Sequence, residues 1–156
     1  MILRPYQEVV VSSANKALDE HSNTIVVAPT GAGKTIMLSA LISERHKKNK
    51  NALVLQHRDE LVSQNSMKFN NVNPSISTSI VDGSQKDFTG NVVFSMVQTL
   101  SRDNNLDKMK PFDMLVIDES HHSAARTYKK VIDKVRTDNK KAEIVGFTAT
   151  PNRGDG

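Results

Sequence analysis

The segment Ala28-Pro29-Thr30-Gly31-Ala32-Gly33-Lys34-Thr35 sets two glycines beside a lysine and a hydroxyl. Apolar β-branched residues precede it, and a helical pattern starts at Lys34. Gly31 and Gly33 let backbone N–H groups approach phosphate oxygens closely, and a helix N-terminus adds the positive end of its dipole. In such a loop, Thr30 and Ala32 complete the cradle. Lys34 reaches β- and γ-phosphates, while the Thr35 hydroxyl can ligate Mg²⁺. Ala28 stands where the strict pattern has its first glycine, so strand before and helix after carry the reading together with Gly-Lys-Thr.

A phosphate loop needs an acidic partner on a neighbouring strand, and Leu115-Val116-Ile117-Asp118-Glu119 supplies one. The apolar run buries the strand and delivers Asp118 at its carboxyl end, where open α/β sheets bind ligands. Asp118 is expected to hold the metal, and Glu119 to orient or deprotonate the water that attacks the γ-phosphate. The two halves together point to a nucleoside triphosphatase site. Asp118, Glu119, His121 and His122 also form a local cluster of potential metal ligands. Their spacing is not His-Glu-x-x-His, and adjacent imidazoles diverge, which argues against zinc.

These residues need a scaffold of alternating strands and helices. Residues 25–28, 52–55, 77–81, 92–94, 114–117 and 143–147 read as strands, most of them continuously apolar, as in sheets covered on both faces. Helices are expected from Pro5, with Tyr6, Val9, Val10, Ala14, Ala17 and Leu18 on one face, from about Lys34 to Arg45, from about Asp59 to Phe69, and from about Ala125 to Val135. Asp103-Asn104-Asn105 and Thr137-Asp138-Asn139 read as surface turns, and Lys47-Lys48-Asn49-Lys50 as a solvated basic turn. The alternation implies an α/β fold: a three-layer, doubly wound, mostly parallel sheet with right-handed crossovers.

A chain of 156 residues fits one domain, 1–156, with room for its own core. The absence of Cys excludes a disulfide framework and thiolate chemistry, and the formal charge of +4 permits an acidic partner without requiring one. No apolar run approaches the ~18 residues of a membrane span. The expectation is an intracellular domain, cytoplasmic or nucleoid-associated, without a membrane partner.

The ordered motifs resemble the N-terminal RecA-like motor domain of superfamily-2 DEAD/DEAH-like helicases and translocases. The similarity is greatest to the branch of RadD-type repair helicases, XPB-like helicases and restriction-enzyme motor subunits, and it covers essentially the whole chain. Leu3-Arg4-Pro5-Tyr6-Gln7 resembles the adenine-reading element, which implies that Gln7 bonds the adenine edge with Arg4 nearby. Leu53 to Gln64 is similar to motif Ia, which implies nucleic-acid backbone contacts by His57, Arg58 and Gln64. Val92 to Leu100 resembles an Ic-type element, which implies that Ser95, Gln98 and Thr99 line the same face. Asp118-Glu119-Ser120-His121 looks like motif II and Thr148-Ala149-Thr150 like motif III. The resemblance implies that His121, Thr148 and Thr150 couple hydrolysis to the nucleic-acid surface.

What the resemblance implies is an RecA-like P-loop NTPase domain that binds Mg-ATP and one side of a nucleic-acid strand, DNA in preference to RNA. A second RecA-like domain, in cis or in trans, is expected to supply the arginines that reach the γ-phosphate. The isolated domain is then expected to hydrolyse ATP little and to unwind nothing. A stand-alone nucleotide- or nucleic-acid-binding module without turnover is the alternative, and the oligomeric state is left open.

Overall fold

The computed structural model describes residues 2–28, 33–118 and 125–149. Helix α1 (Pro5–His21) starts on a proline, whose missing N–H costs nothing in a first turn, and stops at Ser22 in the left-handed conformation. Its buried stripe is Gln7, Val11, Ala14 and Leu18. Tyr6 and Val9, expected on that face, are instead 41% and 65% exposed. The stripe follows the spacing i, i+4, i+7, i+11, which rotates both of them toward solvent.

Six strands follow in chain order: β1 (Asn23–Ala28), β2 (Ala52–Gln56), β3 (Thr78–Val81), β4 (Val92–Met96), β5 (Met114–Asp118) and β6 (Glu143–Ala149). They form one sheet in the order β1-β6-β5-β2-β4-β3, and every strand pair is parallel. Parallel strands require crossovers, and helices supply four of the five: α2 (Lys34–His46), α3 (Asp59–Val72), the short α4 (Val97–Leu100) with α5 (Asp103–Asp107), and α6 (Ala125–Asp138), while residues 82–91 join β3 to β4 without a helix.

The pleat divides the core in two. Ala52 and Val54 of β2 face one cluster with Leu18, Met37, Leu41, Val62 and Phe69. Leu53 and Leu55 face the other, with Leu100, Leu106, Tyr128, Val131 and Val135. Helices thus cover both faces, giving the three-layer, doubly wound fold. Phe69 and Phe94 meet edge to face at 5.6 Å, fixing α3 on the sheet. β1 departs from the expectation of two covered faces: it lies at the sheet edge, with Ile25 71% and Val27 53% exposed.

Asp103-Asn104-Asn105, expected as a turn, opens α5, and the Asn105 amide donates to the Thr99 carbonyl at 2.7 Å. Thr137 and Asp138 likewise belong to α6, where the Lys134–Asp138 pair at 3.1 Å closes the last turn. The basic turn after α2 is held by ion pairs. Lys48 reaches Asp19 at 2.9 Å and Lys50 reaches Glu143 at 3.2 Å. Behind them Arg45, 1% exposed, joins three elements. It donates to Glu143 at 2.9 Å, to the Asn15 side chain at 2.7 Å and to Asp19 at 2.9 Å. Among the described residues, no helix is long and apolar enough to cross a membrane.

Candidate functional site

Because all strands run the same way, their carboxyl ends form one row. From one side of the sheet this row carries Ala28 at the end of β1, Thr148 of β6, Asp118 of β5, His57 and Arg58 after β2, and Gln98 after β4. Sequence separation is large, yet each chemical segment ends a strand at the same edge, as open α/β sheets require of a ligand site.

At its centre Lys34 Nζ reaches across β6 to Asp118 Oδ1 at 2.6 Å. Asp118 is 3% exposed, while the Lys34 side chain keeps 31% of its surface in solvent. The other carboxylate oxygen accepts from the amides of Gln56 at 3.1 Å and Asn65 at 3.3 Å. The Thr35 hydroxyl donates to Asn65 Oδ1 at 3.0 Å. A buried carboxylate is costly without a cation and donors, and here it has both. A hydroxyl and a carboxylate joined through one amide form a hard oxygen set that fits Mg²⁺.

Gly33 enters α2 with φ of 80°, a left-handed geometry that any side chain resists. A Cβ there would also lie 2.4 Å from Gln7 Nε2, so the glutamine amide rests directly on the end of the phosphate loop. The Gln7 carbonyl oxygen accepts from the Arg4 N–H at 2.9 Å, which holds the amide in place. The start of α1 is therefore docked onto the first turn of α2. An open pocket of about 480 Å³ adjoins that turn, lined by Gly33, Lys34, Thr35, Ile36, Lys68, Asn71 and Val72.

The expected strand-binding residues divide. Gln56 pairs in register with Met96, so the chain leaves β2 and β4 side by side. Arg58, Gln64 and Gln98 are exposed there, and His57 is half-buried. Ser95, expected on this face, is instead fully buried, and its hydroxyl donates to the Val54 carbonyl at 2.8 Å. A hydroxyl on a central strand finds its partner inside the sheet. Thr99 is also buried, at 6% exposure. Thr148 is half-buried between the strand of the phosphate loop and that of Asp118, opposite Val27. Thr30, Gly31, Ala32, Glu119, His121, His122 and Thr150 lie outside the described residues.

Gln56 and Asn65 are the members of the site that motif reading missed. A faint signal existed: Gln56 is the polar end of the apolar run Leu53-Val54-Leu55. Asn65 likewise interrupts the buried stripe Val62, Ser66, Phe69 of α3.

Comparison with known proteins agrees with this geometry. The family described as "Type III restriction enzyme, res subunit" matches residues 1–153. The protein named "Putative ATP-dependent helicase IRC3" in Saccharomyces cerevisiae is 30% identical over 166 residues, covering 99% of this chain and 24% of that protein. Among solved structures, the UvsW helicase of bacteriophage T4 superposes with a TM-score of 0.77 at 17% identity, over 99% of this chain and 55% of that one. The Sulfolobus solfataricus SWI2/SNF2 ATPase core in complex with dsDNA gives 0.71 at 21% identity, over 99% and 34%. At these identities the two structures speak for the fold. The chain spans about a quarter of the length of the curated relatives it matches. Because that family matches residues 1–153, nearly the whole chain, the chain belongs to the Type III restriction enzyme res subunit family.

Proposed function

We propose that this domain binds Mg-ATP at the carboxyl edge of its sheet and serves a nucleic-acid-dependent ATPase, a DNA helicase or translocase. The observation that carries the proposal is the convergence of Lys34, Thr35 and Asp118, drawn from two distant motifs, within one hydrogen-bonded unit. When bound, Mg²⁺ supplies charge neutralisation on the β- and γ-phosphates. The chain's own residues do the rest. Lys34 exchanges the Asp118 carboxylate for phosphate oxygens, and its half-exposed stem leaves it free to do so. Thr35 and Asp118 present oxygens to the metal. Gln7, resting on Gly33, reads the adenine edge with one donor and one acceptor, and Arg4 flanks it. Gly31 with its neighbours Thr30 and Ala32 wraps the phosphates. Glu119 takes the water-activating role that follows from its place beside Asp118.

The nucleic-acid track in this reading is the edge formed by His57, Arg58, Gln64 and Gln98, with Thr99 close behind. A cation and an exposed helix start suit a phosphate, which positions a strand without reading its sequence. His121, Thr148 and Thr150 relay between the two halves, and the position of Thr148 between the phosphate loop strand and Asp118 supports this. DNA is favoured over RNA on the resemblance to the repair and restriction branch, in keeping with the restriction-enzyme family that the chain matches. The chain alone hydrolyses ATP weakly, and turnover requires a second RecA-like domain.

ATPase activity of this chain, and of the longest native product that contains it, should be measured with single-stranded DNA, duplex DNA and RNA. Stimulation of the longer product by DNA is expected. Stimulation by RNA alone would overturn the DNA assignment, and binding without turnover in the longer product would favour a non-catalytic nucleotide-binding module.

A further inference from the structure

Asn65 belongs to neither of the segments that define the nucleotide site, yet its amide spans both. Thr35 Oγ1 donates to Asn65 Oδ1 at 3.0 Å, and Asn65 Nδ2 donates to Asp118 Oδ2 at 3.3 Å. An ionised carboxylate only accepts, so the amide nitrogen has to face Asp118 and the amide oxygen has to face Thr35. Asn65 is 5% exposed on α3, its bond to Asp118 is buried and its bond to Thr35 is partly buried. Two consequences follow for the oxygens. A hydroxyl that spends its proton on Asn65 turns its lone pairs away from it. A carboxylate that takes two amide donors on Oδ2 keeps Oδ1 directed at Lys34 and the open side of the site.

We propose that Asn65 is a positioning residue for Mg²⁺: it sets which oxygens of Thr35 and Asp118 face the metal and holds their separation. Gln56, fully buried beside it, shares the load on Asp118 Oδ2. The inference rests on the Mg-nucleotide reading above and adds a third segment, α3, to the metal site. Outer partners of this kind typically change metal affinity by about 10- to 100-fold when removed.

The test is calorimetric titration of ADP into the full chain, with Mg²⁺ and with a chelator. Wild type should bind more tightly with Mg²⁺. Asn65→Leu, close in shape but without hydrogen-bonding groups, should keep metal-free affinity and lose about 10-fold or more of the Mg²⁺ enhancement. Asn65→Ser, too short to span both partners, is the milder second variant and should move the same way if the leucine does not fold. Val62→Ala, from the fully buried face of the same helix, should lower the melting temperature and leave the Mg²⁺ enhancement intact. An unchanged enhancement in the folded Asn65 variants, or an equal loss in Val62→Ala, would overturn the proposal. Wild type without any Mg²⁺-dependent binding would overturn the nucleotide reading itself, and this proposal with it.

Discussion

At the amino edge of the sheet, Arg45 meets Glu143; at the carboxyl edge, Lys34 meets Asp118. Both acids are buried, at 4% and 3% exposure, and both pairs bridge a helix to a strand. They differ in how completely they are closed. The Arg45 guanidinium is 1% exposed, with donors directed to Glu143, Asn15 and Asp19, and Lys50 adds a second cation to Glu143. The fork of arginine suits such a closed network. Lys34 is a point charge on a flexible stem, 31% exposed, facing a pocket. The same charges thus serve two ends: a closed tie among α1, α2 and β6, and an open pair whose lysine, in the proposed function, passes to a phosphate.

The largest expected effect is on the closed pair. Arg45→Ala leaves Glu143 buried with its main partner gone, and urea unfolding should show a loss of about 3–5 kcal/mol. A double change to apolar residues, Arg45→Met with Glu143→Leu, should be milder than either single truncation, because no charge is stranded. If Arg45→Ala costs no more than a surface change, the distinction between the two edges fails. Next comes Gly33→Ala, which sets a side chain at φ of 80° and against Gln7. Its cost in thermal unfolding should be about 1–3 kcal/mol, with weakened nucleotide binding. Lys34→Ala should cost only about 1 kcal/mol, because Gln56 and Asn65 still donate to Asp118.

The smallest effect is a pH dependence. The hydrogen bond from Lys48, then that from Arg45, holds the exposed Asp19 carboxyl below the usual range. A lowered folded value means that its stabilisation is complete above the usual carboxylate range and is lost as pH falls through the lowered value. Asp19→Asn should flatten this part of the acid limb, read as melting temperature between about pH 5 and pH 2.

The two edges were not equally legible in the sequence. Lys34, Thr35 and Asp118 sit in short contiguous motifs, each next to an apolar run that marks a strand, so position and chemistry are written together. The six strands were legible for the same reason. The Arg45 network was not, because Asn15, Asp19, Arg45 and Glu143 come from separate elements and look like ordinary surface residues until packing joins them. Asn65 and Gln56 share that invisibility: a lone amide has no motif. Ser95 shows the converse, a polar residue in a plausible motif whose strand is central and buried. Exposure of β1 depended on sheet order, which apolar runs such as Ile25-Val26-Val27 do not encode.

A nucleotide site at the carboxyl edge is tested by titration of ATP with Mg²⁺ into wild type and Lys34→Ala by calorimetry, with folding of both checked by circular dichroism. The predicted result is saturable binding by wild type and none detectable for the folded variant. Retained ATP affinity in Lys34→Ala would contradict the assignment of the carboxyl edge as a nucleotide site.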